Sequence, residues 1–130
     1  MYDDEDNKEN KNYKDDNKDN SDEILSILSD KQSREIIKLL SKTEFTIQQI
    51  SNLLNIPQST AYRKTRKLEE LDIVKKTKVV RTLEGLDESY YKNWTYEIVV
   101  TYRDGKLSYK LKHVKMEDKI VRLWQKFSEK

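Results

Sequence analysis

The segment TIQQISNLLNIPQSTAYRKTRKLEELDIV, residues 46–74, carries two helical patterns separated by a break of two residues. Thr46 with Gln49 three positions on makes a capping-box start, and Ile47, Ile50, Leu53 and Leu54 then recur at helical spacing on one face. Asn55 and Ile56 turn the chain. Pro57 suits the first position of a helix, where its missing amide donor and fixed φ cost nothing, so a second helix is predicted over Pro57–Leu71. Ala61, Thr65 and Leu68 lie one and two turns apart in it and face inward. Gln58, Ser59, Tyr62, Arg63, Arg66 and Lys67 are left looking outward, with no carboxylate before Glu69.

A helix presented in this way suits a DNA major groove, because donors near its start can reach base edges while Arg and Lys neutralise phosphates. Gln58, Ser59, Tyr62 and Arg63 are the candidates for base contact, and Thr60, Lys64, Arg66 and Lys67 for the backbone. The competing reading is a solvated cationic face, and the turn spacing, Pro57 and the strand pattern that follows all weigh against it. The run LLNIPQSTAYRKTRKLEELDIV resembles the helix-turn-helix of winged-helix transcription regulators, particularly the ArsR-type group, with a small Ala61, Leu68, and Ile73-Val74 leading into the wing. Thr65 departs from that pattern, where the family more often has an aliphatic residue. The resemblance implies an α+β winged helix-turn-helix fold and a transcriptional regulator whose partner is double-stranded DNA.

The 130 residues are one domain's worth of chain. The absence of cysteine removes disulfides, thiolate zinc sites and thiol catalysis together, and fits a reducing compartment. No apolar run reaches membrane-spanning length and the N-terminus is polar, so no membrane partner and a cytoplasmic location are expected. Residues 1–20 hold no aliphatic side chain after Met1 and eight acidic against four basic groups, so a disordered acidic tail is expected there. Residues 21–130 then carry a net charge of +6 within a total of +2, a basic domain behind an acidic arm. The arm is read as a solubilising tail in preference to a competitor with DNA for the basic face.

SDEILSILSDKQSREIIKLLSK, residues 21–42, reads as two helices, the first capped by Ser21 and the second by Ser29 or Asp30. With the two above, four helices precede the sheet. ILSDKQSREIIKLLSK also resembles the opening of ArsR-type domains. Beyond the basic helix, Ile73–Thr82 is rich in β-branched residues and reads as a strand, Gly85 marks a turn, and Tyr90–Trp94 returns, which makes a wing hairpin. Lys75, Lys76, Lys78 and Arg81 are its candidate backbone contacts, while Glu84, Asp87 and Glu88 make the expected tip acidic. Thr95–Arg103 alternates Tyr96, Ile98, Val100 and Tyr102 on one face, Asp104-Gly105 is a two-residue turn, and Lys106–Val114 returns. This second hairpin extends the wing, and hairpins of this kind resemble those of archaeal ArsR-like regulators.

Met116–Phe127 places Ile120, Leu123, Trp124 and Phe127 on one stripe, so a C-terminal amphipathic helix is predicted over residues 116–128. Its stripe together with Ile24 and Leu28 exceeds what a small core needs, and a homodimer formed by the first and last helices is expected, as the resemblance also implies.

Chemistry beyond binding finds little support. His113 is the only histidine and sits among lysines, Gly85 and Gly105 both fall in turns, and Glu69, Glu70 and Asp72 end a helix facing water. No enzyme activity, metal or cofactor is expected, and the thiolate metal box of ArsR-type metal sensors is missing. No small-molecule effector can be named from the residues. The leading alternative function is a winged-helix docking module for a protein partner, followed by double-stranded RNA binding.

Overall fold

A computed structural model describes residues 14–114, with side chains from residue 20 onward. Four helices come first: α1 (Lys14–Ser29), α2 (Lys31–Lys42), α3 (Ile47–Leu54) and α4 (Gln58–Glu70), with the short strand β1 (Phe45–Thr46) ahead of α3. Four strands follow: β2 (Val74–Arg81), β3 (Asp87–Asn93), β4 (Thr95–Arg103) and β5 (Lys106–His113).

Local chemistry explains most of the boundaries. Asp30 caps α2 by accepting from the Ser33 amide and hydroxyl at 3.0 and 2.6 Å, so of the two expected caps it is Asp30 that acts. The capping box of α3 is complete: Thr46 Oγ1 accepts from the Gln49 amide, and Gln49 Oε1 accepts from the Thr46 amide. Asn55 ends α3 in the left-handed conformation at φ 56°, which asparagine tolerates better than most residues. Pro57 stands one position earlier than expected, at the N-cap, with extended backbone, so α4 runs Gln58–Glu70 with Leu71 as its C-cap.

Other boundaries differ more. Helix α1 begins at Lys14 and not at a Ser21 cap; Ser21 is buried within it, and residues 14–20 of the expected tail are helical. The composition of KDDNKDN hid this, because a polar run offers no periodic signal although the helix it joins continues a strong one. Residues 1–13, the remainder of that tail, and residues 115–130, which hold Ile120, Leu123, Trp124, Phe127 and the expected C-terminal helix, lie outside the described residues.

Strands β1, β3 and β2 form a three-stranded antiparallel sheet in that order, whereas β4 and β5 pair only with each other. The second hairpin is therefore a sheet of its own and not a continuation of the wing's ladder. The core gathers Ile24, Ile27, Ile36, Leu40, Ile50, Ala61, Leu68, Ile73, Val74 and Tyr91, so helices and wing base share one apolar centre. Ile24 is completely buried in it. That removes Ile24 from the expected dimer contacts, because a side chain facing this core cannot also face a second protomer; Leu28 is half-buried at the margin and Leu25 is an exposed apolar residue of α1.

The β4–β5 hairpin lays Ile98, Val100, Tyr109 and Leu111 against the margin of this core. At its base the Thr95 hydroxyl donates to the Ile73 carbonyl at 2.8 Å, and the Val114 amide donates to the Trp94 carbonyl at 2.7 Å. Its turn residues Asp104 and Gly105 have φ of 54° and 75°, the two successive left-handed positions that a two-residue hairpin requires.

Candidate nucleic-acid interface

Helix α4 is held by its inner face, where Ala61, Thr65 and Leu68 are fully buried. Its outer face is open: Gln58, Ser59, Tyr62 and Arg63 are exposed, and Thr60, Lys64, Arg66 and Lys67 are half-buried. The four candidates for base contact thus lie together in the first two turns. Pro57 provides no side-chain cap, and no acidic residue occupies the first turn, so the helix's own start does not compensate the positive end of its dipole. A shallow depression of about 550 Å³ runs along this face between Tyr62, Arg63, Arg66, Lys67 and Glu70.

The cations of this face differ in their commitments. Arg66 donates from Nη1 to the Tyr62 hydroxyl at 3.0 Å, and its Nε lies 3.3 Å from Glu69, so ring, guanidinium and carboxylate form one string along the helix. The bond to Tyr62, reinforced by Glu69, holds the guanidinium above its ordinary pKa. Lys67 lies 3.2 Å from Glu23 of α1 and 3.9 Å from Glu70. Lys64 turns inward, and its ammonium reaches Asp30 Oδ2 at 2.6 Å with only 17% of the side chain exposed. That bond, with the Ser33 bonds, pulls the Asp30 carboxyl down to about 2. Lys64, expected at the DNA backbone, therefore ties α4 to the start of α2, a pairing across 34 residues that no local pattern announces. Among the described residues Arg63 has no such tie.

The wing arranges its lysines through a bulge. The β2–β3 register shifts between Lys76 and Lys78, with Lys75 opposite Lys92, Lys76 opposite Tyr91 and Lys78 opposite Tyr90. The extra residue, Thr77, moves Lys78 onto the face that carries Lys75 and Lys92 and leaves Lys76 on the other. Glu44, ahead of β1, accepts from the Thr77 hydroxyl at 2.5 Å and pairs with Lys78 at 3.0 Å; these bonds, the Thr77 one foremost, lower its pKa. Lys78 also stands over the Tyr90 ring and Lys75 over Trp94, at 4.7 and 4.1 Å. The cation face of the wing is thus partly neutralised from within.

The wing tip differs from expectation. Asp87 and Glu88 belong to β3, and Asp87 pairs with Arg81 at 3.4 Å, which leaves Glu84 as the acidic group of the turn. The tip, residues 82–86, is closed by the Thr82 amide donating to the Leu86 carbonyl at 2.7 Å, and it projects Leu83 and Leu86 into solvent. Arg81, expected at phosphate, spends its guanidinium on Asp87 and on the Gly85 carbonyl.

A joint that the sequence did not announce closes the far end of α4. Asp72 follows the helix in a left-handed conformation at φ 67°, and its carbonyl accepts from Trp94 Nε1 and lies 3.0 Å from His113 Nε2. The two rings stack with centroids 3.8 Å apart. Because a carbonyl only accepts, Nε2 of His113 carries the proton, and the histidine acts as a brace between β5 and the end of α4. A helix stop followed by an aromatic-rich segment was the only available signal.

Residues 30–76 match the family model described as "Bacterial regulatory protein, arsR family". The matched segment, a little over a third of the chain, runs from the Asp30 cap through α2, α3 and α4 into the first three residues of β2. It is similar to the arsR-type helix-turn-helix, which supports a DNA-binding transcription regulator. No curated protein matches the chain. Among the described residues no helix is long and apolar enough to cross a membrane.

Proposed function

We propose that the protein is a sequence-specific DNA-binding transcriptional regulator that reads the major groove with α4. The observation that carries this reading is the placement of Gln58, Ser59, Tyr62 and Arg63 together, exposed, on the first two turns of a helix whose arsR-type context is matched from Asp30 onward. Lys75, Lys76, Lys78 and Lys67 are the backbone contacts, Lys67 and Lys78 exchanging a carboxylate for a phosphate as they bind. Lys64 and Arg81 act instead as structural cations. The likeness to archaeal regulators rests on the second hairpin, and a cytoplasmic location follows from the proposed role.

The regulator works as a homodimer, its interface built from Leu25 and Leu28 of α1 with Ile120, Leu123, Trp124 and Phe127. Two reading helices about 34 Å apart would then address successive major grooves of a palindrome. The role requires no catalysis, metal or cofactor. Selection of bound duplexes from a random pool tests the whole reading: a recovered palindromic motif is expected, and recovery of no motif overturns sequence-specific reading.

A second reading, a docking module for a protein partner, is favoured by the exposed Leu83 and Leu86 and by the number of cations already paired with carboxylates. Salt separates the two. A DNA-binder shows a steep negative dependence of log K on log salt, and a docking domain binds no duplex.

A further inference from the structure

We infer that the outward face of the β4–β5 hairpin is a second phosphate-binding surface, which holds duplex DNA flanking the site addressed by α4. The inference rests on the DNA-binding reading above and assigns a role to residues outside the helix-turn-helix and its wing.

The register segregates the hairpin's chemistry. Ile98 faces Leu111, Val100 faces Tyr109 and Tyr102 faces Leu107, and four of these side chains lie against the core margin. The opposite face sets Glu97 beside Lys112, Val99 beside Lys110, Thr101 beside Ser108 and Arg103 beside Lys106. Every one of these eight residues is exposed. Four cations, two hydroxyls and one carboxylate therefore share one side of a two-stranded ribbon, and that carboxylate is engaged by Lys112 at 3.2 Å.

Lys112 is engaged by Glu97 and Arg103 also has a partner, so the charge of this face that is open to a phosphate is that of Lys106 and Lys110, beside Arg63, Lys75 and Lys76 of α4 and the wing. On α4 and the wing, Lys64, Arg66, Lys67, Lys78 and Arg81 each face a carboxylate within 4 Å. Among the described residues Lys106 and Lys110 face none. A cation neutralised inside the chain has less to gain from a phosphate than one neutralised only by salt ions, because binding strength at a polyanion comes largely from released counterions. The ribbon's reach also fits: eight residues at about 3.3 Å each extend about 26 Å, and a two-stranded ribbon has the width of a DNA groove. Its base is fastened to the two residues that link α4 to β2, through Thr95 to the Ile73 carbonyl and His113 to the Asp72 carbonyl, so it is tied to the end of α4. The competing account is that lysines on an exposed hairpin serve only to discourage pairing with another chain's edge.

The test compares the full-length protein with the double variant Lys106→Gln/Lys110→Gln on a random-sequence duplex of about 40 base pairs, titrated between about 50 and 200 mM salt. The slope of log K against log salt is expected to flatten by about 1.8, about 0.9 for each lysine, and Lys106→Arg/Lys110→Arg is expected to restore it. The same Gln variant should select the same motif as wild type. An unchanged slope for the Gln variant beside a steep one for wild type overturns the inference and leaves edge protection as the role of the two lysines. A flattened slope on double-stranded RNA alone overturns it too, since the surface then belongs to another nucleic acid. If wild type binds no duplex at all, it is the DNA-binding reading that has failed. Thermal melts of each variant accompany the titration; both lysines are exposed, and native-like melting is expected.

Discussion

Thr65 is fully buried between Ala61 and Leu68, and its hydroxyl has no hydrogen-bond partner among the described residues. An unmatched buried hydroxyl costs about 1–3 kcal/mol, and valine keeps the shape without the polar atom. Thr65→Val is therefore expected to stabilise the domain by about 1 kcal/mol, seen as a higher urea midpoint at unchanged slope; a lower midpoint would show that the hydroxyl has found a partner. The outer face of the same helix allows a second comparison. Arg63→Ala should relax discrimination at one base position at a cost of roughly 1–3 kcal/mol, whereas Lys67→Ala should weaken all duplexes alike. Because Lys67 already pairs with Glu23 and Glu70, its loss should flatten the salt slope by less than the 0.9 or so of an uncommitted cation. Equal effects of the two substitutions on motif preference would refute this division.

At the scale of elements, the orientation of α4 depends on the start of α2. Asp30 caps α2 and holds Lys64, so Asp30→Ala removes a cap and strands a half-buried ammonium. A loss of about 0.5–2 kcal/mol is expected from the cap alone, measured by thermal or urea unfolding. The same group gives an acid signature. Its pKa is lowered in the folded state to about 2, so its contribution is complete above the ordinary aspartate range and is lost as pH falls from near 3.8 toward 2. Wild type should lose stability more steeply through that window than Asp30→Asn, and parallel curves would argue against the Lys64 bond. Elements defined by neighbours were legible in the chain: Thr46 and Gln49 announced α3, Asn55 to Pro57 the turn, and Asp104-Gly105 the second hairpin. What depended on distant partners was not. Lys64 looked like a phosphate contact because nothing near it in sequence is Asp30, and Asp87 looked like a tip residue because its bond to Arg81 forms only once the strands pair.

At the scale of the molecule, charge is sorted by surface and not by sequence block. The net +2 of the chain leaves an outer face of α4 on which Arg66 and Lys67 are balanced by carboxylates, and a second hairpin on which Lys112 is balanced and Lys106 and Lys110 are not. The burial of Ile24 also reduces what α1 can offer to a partner protomer, so the proposed dimer relies more on the apolar stripe expected within residues 116–128. Full-length protein is expected to be a dimer by light scattering, as proposed above, and the 116–130 deletion a monomer; a dimer that survives the deletion would place the interface elsewhere. The joint at Asp72 bears on how such a molecule meets its target. One backbone oxygen receives the indole and the imidazole, so the helix end, the wing and the ribbon are braced at a single point. A head braced in this way has little freedom to follow an irregular duplex. On the DNA-binding reading proposed above, the bending and twisting needed for a fit come from the nucleic acid, and sequences whose base steps deform at low cost are expected to be preferred even at positions that no side chain touches.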